Sequence, residues 1–187
     1  DPIATQEAVR QVLACPGQSA SDLDLFLVGE QSLLLSTNGA EARSTGVSLQ
    51  GEAVGVVLDL DNKPGPEVVL ADDSGFKALG RGSSGAWEVR TVQFPAHSNG
   101  KAPVALVAFD VDHDGDVDLV VATASKGGEL RILRNKGDGA FEWNTPFEAR
   151  VDFKGARARI DAHDLDQAND LDLVYPAGSD GVVTLLN

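Results

Sequence analysis

Four apolar runs, each opened by an acid and followed after a polar turn by a second apolar run, predict an all-β chain. The opening acids are Asp24, Glu67, Asp118 and Asp172, spaced 43, 51 and 54 residues apart. An acidic loop recurs ahead of the same run in successive units. Together these observations predict a β-propeller-type architecture of four blade-like repeats, approximately 4–50, 51–99, 100–153 and 154–187, with the last blade incomplete.

The elements follow in order. In the first unit, runs fall at 12–14, at 24–28 behind Asp24 and at 32–35 behind Ser32, and the glycine turn 38–40 closes the third run. Residues 6–13 alone could pass for a helix, but the repeat register assigns them to a strand. The second unit has runs at 54–58, 67–71 and 76–79, a glycine-rich turn at 80–85 and a fourth run at 86–92. The third repeats this at 104–109, 118–122 and 130–133, with a turn at 135–139 and a fourth strand around 140–143. The fourth offers a weaker run at 158–160, then 172–176 and 182–186, and the chain stops at Asn187 before a fourth strand. Four short strands in about 40–50 residues make a propeller blade. A β-sandwich also has many short strands, but no acidic loop recurring at one fixed place in each unit.

The chain has 187 residues, 42% of them hydrophobic, enough for a sizeable core. Fifteen basic against 29 acidic residues give a net charge of −14, which argues against nucleic acid and anionic membranes as partners. No apolar run approaches the length of a membrane span. Cys15 is the only cysteine, so no intrachain disulfide forms, and its apolar neighbours predict a buried, inert thiol. Methionine is absent even at position 1, so the chain is expected to be a processed product or a piece of a longer polypeptide.

The third loop carries the chemistry. Asp110, Asp112, Asp114, Asp116 and Asp118 place carboxylates at every odd position of nine residues, and Gly115 permits a left-handed turn. Hard cations such as Ca²⁺ take six to eight oxygens at about 2.3–2.6 Å, which such a loop supplies. Without a cation, crowded carboxylates raise one another's pKa. The competing reading is a solvated acidic turn. An EF-hand is excluded because its twelfth position needs a bidentate Glu, whereas that position holds Val121, and because both flanks read as strands.

The pattern Asp110-x-Asp112-x-Asp114-Gly115-x-x-Asp118-Leu119, followed by Arg134-Asn135-Lys136-Gly137-Asp138-Gly139-Ala140-Phe141, resembles the FG-GAP/VCBS repeat of integrin α-subunit propellers and many secreted bacterial proteins. The resemblance implies a calcium-stabilised propeller acting outside the cytoplasm, extracellular or periplasmic. Such propellers usually have seven blades, which leaves ring closure here open. In the third unit the family pattern and the coordination chemistry agree: Asp110, Asp112, Asp114 and Asp118 offer side-chain oxygens and Asp116 its backbone carbonyl. His113 lies between ligand positions and points away. In the fourth unit Asp164, Asp166 and Asp172 keep their roles and Asp170 stands at the Asp116 position. Ala168 removes one ligand and Asn169 replaces the glycine, which leaves a weaker site completed by water, or none.

The second loop holds Asp59, Asp61 and Glu67, but Lys63 sits where a central ligand belongs and Pro64 cannot turn left-handed. Its ammonium is expected to take the ion's place among the three acids. In the first loop Pro16, Gln18 and Ala20 hold the ligand positions and only Asp24 survives, so that loop is structural. His163 aligns with Leu58 and Phe109 and is expected to be a packed core histidine. Trp87 and Trp143 read as outer packing rather than a sugar-stacking platform. The turn 80–85 resembles a phosphate loop only in spelling, and no ordered triad or nucleophile elbow appears. The function expected is a non-enzymatic adhesion or scaffold module engaging a protein or glycan partner, with further polypeptide pairing at the edge near 182–186. The alternatives are an accessory part of a secreted carbohydrate-active enzyme and a structural subunit of a larger assembly.

Overall fold

A computed structural model describes residue 5 and residues 7–96, 102–123, 128–137, 139–151, 160–168, 171–176 and 182–185. Among these residues there is no helix; fifteen strands form four antiparallel sheets. The first sheet holds β1 (Gln11–Pro16), β2 (Leu23–Val28), β3 (Ser32–Thr37) and β4 (Arg43–Ser48). The second holds β5 (Val54–Leu58), β6 (Glu67–Asp72), β7 (Gly75–Arg81) and β8 (Trp87–Arg90). The third holds β9 (Pro103–Phe109), β10 (Asp118–Thr123), β11 (Gly128–Asn135) and β12 (Phe141–Val151). The fourth holds β13 (Asp161–His163), β14 (Asp172–Pro176) and β15 (Val182–Leu185). Strand order within every sheet is sequence order, an up-and-down meander.

One register recurs in all four sheets. At the loop end of the first two strands the same pair recurs, Cys15 opposite Asp24, Leu58 opposite Glu67, Phe109 opposite Asp118 and His163 opposite Asp172, with one further pair, Pro16–Leu23, in the first sheet. The sheets stack so that their first strands lie side by side in the order β1, β5, β9, β13. This is the arrangement of propeller blades around an axis.

The cores lie between sheets. Phe26, Leu33, Val68, Leu70 and Leu79 fill the space between the first and second. Leu58, Val69, Leu119, Leu133 and Phe141 fill the next, and Phe109, Val120, Ile132, Leu173 and Tyr175 the third. A second strand covered on both faces needs apolar residues throughout, not in alternation. Hence β6 and β10 are buried along their whole length, including the acids that open them.

Two further ties hold blade to blade. The Gln11 side chain donates Nε2–H to the Gly55 carbonyl at 2.9 Å and accepts from the Gly55 N–H at 2.8 Å, so an amide side chain stands in for a strand between β1 and β5. A side chain at Gly55 would meet Leu13 and Leu70, each 2.7 Å from the added Cβ. After β8 the chain crosses to the third sheet, where Gln93 makes a parallel bridge to Ala140. Phe94 stacks on Phe141 at 5.0 Å, and Phe76 joins both Phe94 and Trp143.

The sequence reading needs two corrections here. The first strand of the fourth unit starts at Asp161, later than 158–160; Ile160 is buried just ahead of it, and 158–159 lie outside the described residues. His163 holds the predicted register but its side chain is exposed. Leu58 and Phe109 are buried because the following sheet packs over them. Among the described residues no sheet follows the fourth, so His163 has no such cover.

Candidate metal centre

The third loop joins β9 to β10. Two left-handed residues fold it, Gly115 (φ 94°) as the sequence predicts and His113 (φ 61°). The same fourth loop position is left-handed in the second and fourth loops, at Asn62 (φ 54°) and Gln167 (φ 65°). That shared turn brings the first, third and ninth residues together. Asp110, Asp112 and Asp118 present carboxylate oxygens within 4.8 Å of one another.

Asp118 is fully buried. Its Oδ2 accepts the Val111 N–H at 3.1 Å and its Oδ1 the Asn135 N–H at 2.8 Å. Burial, followed by the negative charges of Asp112 and Asp114, raises its pKa from 3.8 to about 6. Asp110 accepts the Gly115 N–H through Oδ2 at 3.0 Å, and Arg134 pairs with Oδ2 of Asp112. The other oxygens, Oδ1 of Asp110 and Oδ1 of Asp112, are buried and accept no hydrogen bond. Buried carboxylate oxygens without a donor are costly. Here they converge with a buried carboxylate whose charge the surroundings oppose. A hard divalent cation answers all of these demands, so the residues fit Ca²⁺.

Asp114 and Asp116 do not join this trio. Asp114 is exposed and its Oδ1 accepts the Asp116 N–H at 2.9 Å. The Asp116 carboxylate turns to the second loop, where Asn62 Nδ2 donates to Oδ1 at 2.7 Å. Asn135, buried, donates from Nδ2 to the Leu60 carbonyl at 3.0 Å. The two loops are thus fastened together.

In the fourth loop Asp164, Asp166 and Asp172 form the matching trio. Asp172 is fully buried and accepts the Leu165 N–H at 2.9 Å, while Asp164 and Asp166 are exposed. Asn169 and Asp170 lie outside the described residues. Asp166 Oδ1 accepts the Ala168 N–H at 3.0 Å.

The second loop gathers Asp59, Asp61 and Glu67 as well. Lys63 does not sit among the three, contrary to expectation. Its Nζ lies 2.8 Å from Asp61 Oδ2 alone and its side chain is 72% exposed, since a long ammonium chain keeps its head in water. The bond from Lys63 is the first cause lowering the Asp61 pKa. The guanidinium of Arg90, on β8, approaches both Glu67 (3.4 Å) and Asp61 (3.8 Å). Burial, followed by the Asp61 charge, still raises the Glu67 pKa against the Leu60 N–H and Arg90. Gly65 (φ 111°) supplies a left-handed turn next to Pro64.

The first loop gathers no such trio among the described residues. Its buried Asp24 is held by Arg81 and by Trp87 Nε1–H at 2.6 Å, both from the second sheet. Arg81 also lies over the Trp87 ring at 4.6 Å, and Phe26 meets that ring edge-on at 4.8 Å. Trp143 is covered in the same way by Arg131 at 4.2 Å and donates to the Ala96 carbonyl. Both indoles therefore pack between elements. Sequence reasoning missed Arg81, Arg90, Arg134 and Asn135 as partners of the loop acids; the only local signal was that each lies near a strand end or turn.

Residues 110–175 match the FG-GAP-like repeat family, in the units where the sequence pattern is strongest. No curated protein matches the chain. The solved structure of an Agrocybe aegerita lectin, described as specifically recognising non-reducing terminal N-acetylglucosamine, matches with a TM-score of 0.61 at 16% identity. The match covers 98% of this chain and 50% of the lectin chain, so this chain spans half of that protein's length. At that identity the likeness speaks for the fold.

Proposed function

With an FG-GAP-like repeat at residues 110–175 as the premise, we propose that this chain is a non-catalytic binding module whose third loop, and more weakly its fourth, holds Ca²⁺. One observation carries the metal reading: buried, unpartnered oxygens of Asp110 and Asp112 converge on the buried Asp118 carboxylate. The ion's role there is structural. It joins the two ends of a hairpin loop and neutralises a charge the core would otherwise oppose, while the chain's own N–H groups hold the ligands in place.

Recognition falls to the blade faces and connecting loops, for a protein or glycan partner. The blade fold shared with a lectin supports a glycan among these. The acidic surface and a loop of this kind suit the cell exterior or periplasm, where calcium meets the ~10⁻⁴–10⁻³ M affinities of extracellular modules. An accessory role in a carbohydrate-active enzyme is the second reading, and the hydrolase panel below distinguishes it.

The test is a glycan array and an envelope-fraction pull-down, each with calcium and with EGTA, beside a panel of polysaccharide hydrolase assays. Calcium-dependent capture without turnover supports the module. Turnover abolished by changing an acid outside the loops would establish the enzyme instead.

A further inference from the structure

We infer that Arg90 is a built-in replacement for the metal at the second loop, so that removing its guanidinium creates a divalent-cation site there. The inference rests on the cation reading of the third loop and extends it to a loop that carries the same acids. Asp59, Asp61 and Glu67 stand at the first, third and ninth positions, as Asp110, Asp112 and Asp118 do, and likewise bring carboxylate oxygens within 4.8 Å of one another. The ninth-position acid is buried in both and accepts the N–H of the second loop residue, from Leu60 at 3.0 Å and from Val111 at 3.1 Å.

The difference is the source of positive charge. Arg90 starts on β8, two strands away from Glu67, and its side chain must cross β7 to reach the loop. It crosses at Gly80, one residue beyond the Leu79–Val68 pair. A Cβ at Gly80 would lie 2.4 Å from Arg90 Nε, so any side chain there would displace the guanidinium. The glycine is a seat for Arg90, and its φ is not one that requires glycine.

The third sheet has neither feature. Ile132 pairs with Asn144 as Ala78 pairs with Arg90, so a neutral residue holds the Arg90 place. The place of Gly80 is taken by Arg134, one beyond the Leu133–Leu119 pair. Arg134 reaches Asp112 only, and among the described residues no cationic side chain pairs with Asp118. In the second loop, where the arginine bridge to the ninth-position acid exists, Lys63 stands at the fifth position; in the third loop, where no such bridge is described, Asp114 stands there.

The experiment titrates Ca²⁺ by calorimetry into the wild-type chain, Arg90→Gln and Gly80→Ala, with melting curves in calcium and in EGTA. Arg90→Gln should bind one more Ca²⁺ than wild type and show a larger drop in Tm with EGTA. Gly80→Ala, which only pushes the guanidinium aside, should gain the same site more weakly, and Arg90→Lys should keep the wild-type stoichiometry. A folded Arg90→Gln with unchanged stoichiometry overturns the inference. So does failure of both Arg90→Gln and Gly80→Ala to fold in calcium as well as in EGTA, because then no cation replaces the arginine. The wild-type titration reads the third and fourth loops and the increment reads the second, so the two readings fail separately.

Discussion

Chelating the cation proposed for the third loop should make stability depend on pH in a direction set by Asp118. In the cation-free fold this carboxyl titrates at about 6, raised from 3.8 first by burial and then by Asp112 and Asp114. A raised folded pKa means that the native state binds the proton more tightly than the unfolded chain does. The stability it contributes is fully present below the unfolded value and is lost as pH rises through about 6. A shift from 3.8 to about 6 corresponds to about 3 kcal/mol between the two limits. For a chain of this size that is about 6–12 °C in Tm. Glu67, also raised by burial, adds in the same sense.

In EGTA, Tm should therefore climb as pH falls from about 7.5 to about 5, a window that realises about half of that difference, about 1.4 kcal/mol or about 3–6 °C. With saturating calcium the ion already satisfies Asp118, and protons compete with it, so the gap between the calcium and EGTA curves should close over the same interval. The comparison stops near pH 4.5, roughly where carboxylates held low in the fold begin to protonate. Asp72 is one of these: burial would raise it, but Lys77, Ser74 and the Gln50 N–H together hold it low, so its contribution is lost as pH falls. Differential scanning calorimetry across this pH series, with Asp118→Asn as control, measures the effect. An EGTA melting temperature that is flat, or that falls from pH 7.5 to 5, refutes the assignment of an opposed buried charge to Asp118.

Three further outcomes follow from single contacts. Trp87→Phe keeps the edge contact to Phe26 but removes the indole donor to buried Asp24, and should cost about 1–3 kcal/mol in urea denaturation with an unchanged m-value. Gly137→Ala places a Cβ 2.5 Å from Asp116 Oδ2 at a residue with φ 74°, so it strains the turn and presses on the Asp116–Asn62 bond between loops; a loss of about 1–3 kcal/mol is expected by thermal melting. Cys15 is fully buried and its thiol is pushed up to about 12 by burial and then by Asp24, so a disulfide reagent should label it only at the rate of unfolding.

Much of this architecture is legible in the sequence because a propeller repeats its constraints. The acids at 24, 67, 118 and 172 mark one structural position in four sheets, and their shared register opposite Cys15, Leu58, Phe109 and His163 follows from a constant loop length. The trio at 110, 112 and 118 is legible for the same reason, since loop ligands are local in sequence. Three things were not. The strand β4 hides behind polar Ser and Thr and a left-handed Gly46, on an outer edge where packing asks little of the residues. The exposed His163 shows that alignment gives register, whereas burial depends on whether another sheet follows.

The counter-charges were the third, and they explain why the sequence placed the wrong cation, Lys63 in place of Arg90, among the acids of the second loop. Arg81 reaches Asp24 from 57 residues away, and Arg90 reaches Glu67 from 23. Neither distance leaves a pattern in the loop itself. A loop motif reports the negative half of a site; the positive half comes from metal or from a neighbouring strand, and only the fold shows which. In the first and second sheets the answer is an arginine on the buried ninth-position acid. In the third, among the described residues, Asp118 accepts from the backbone N–H groups of Val111 and Asn135 and pairs with no arginine, and that difference is the ground for proposing the cation in the unit where the sequence pattern is most complete.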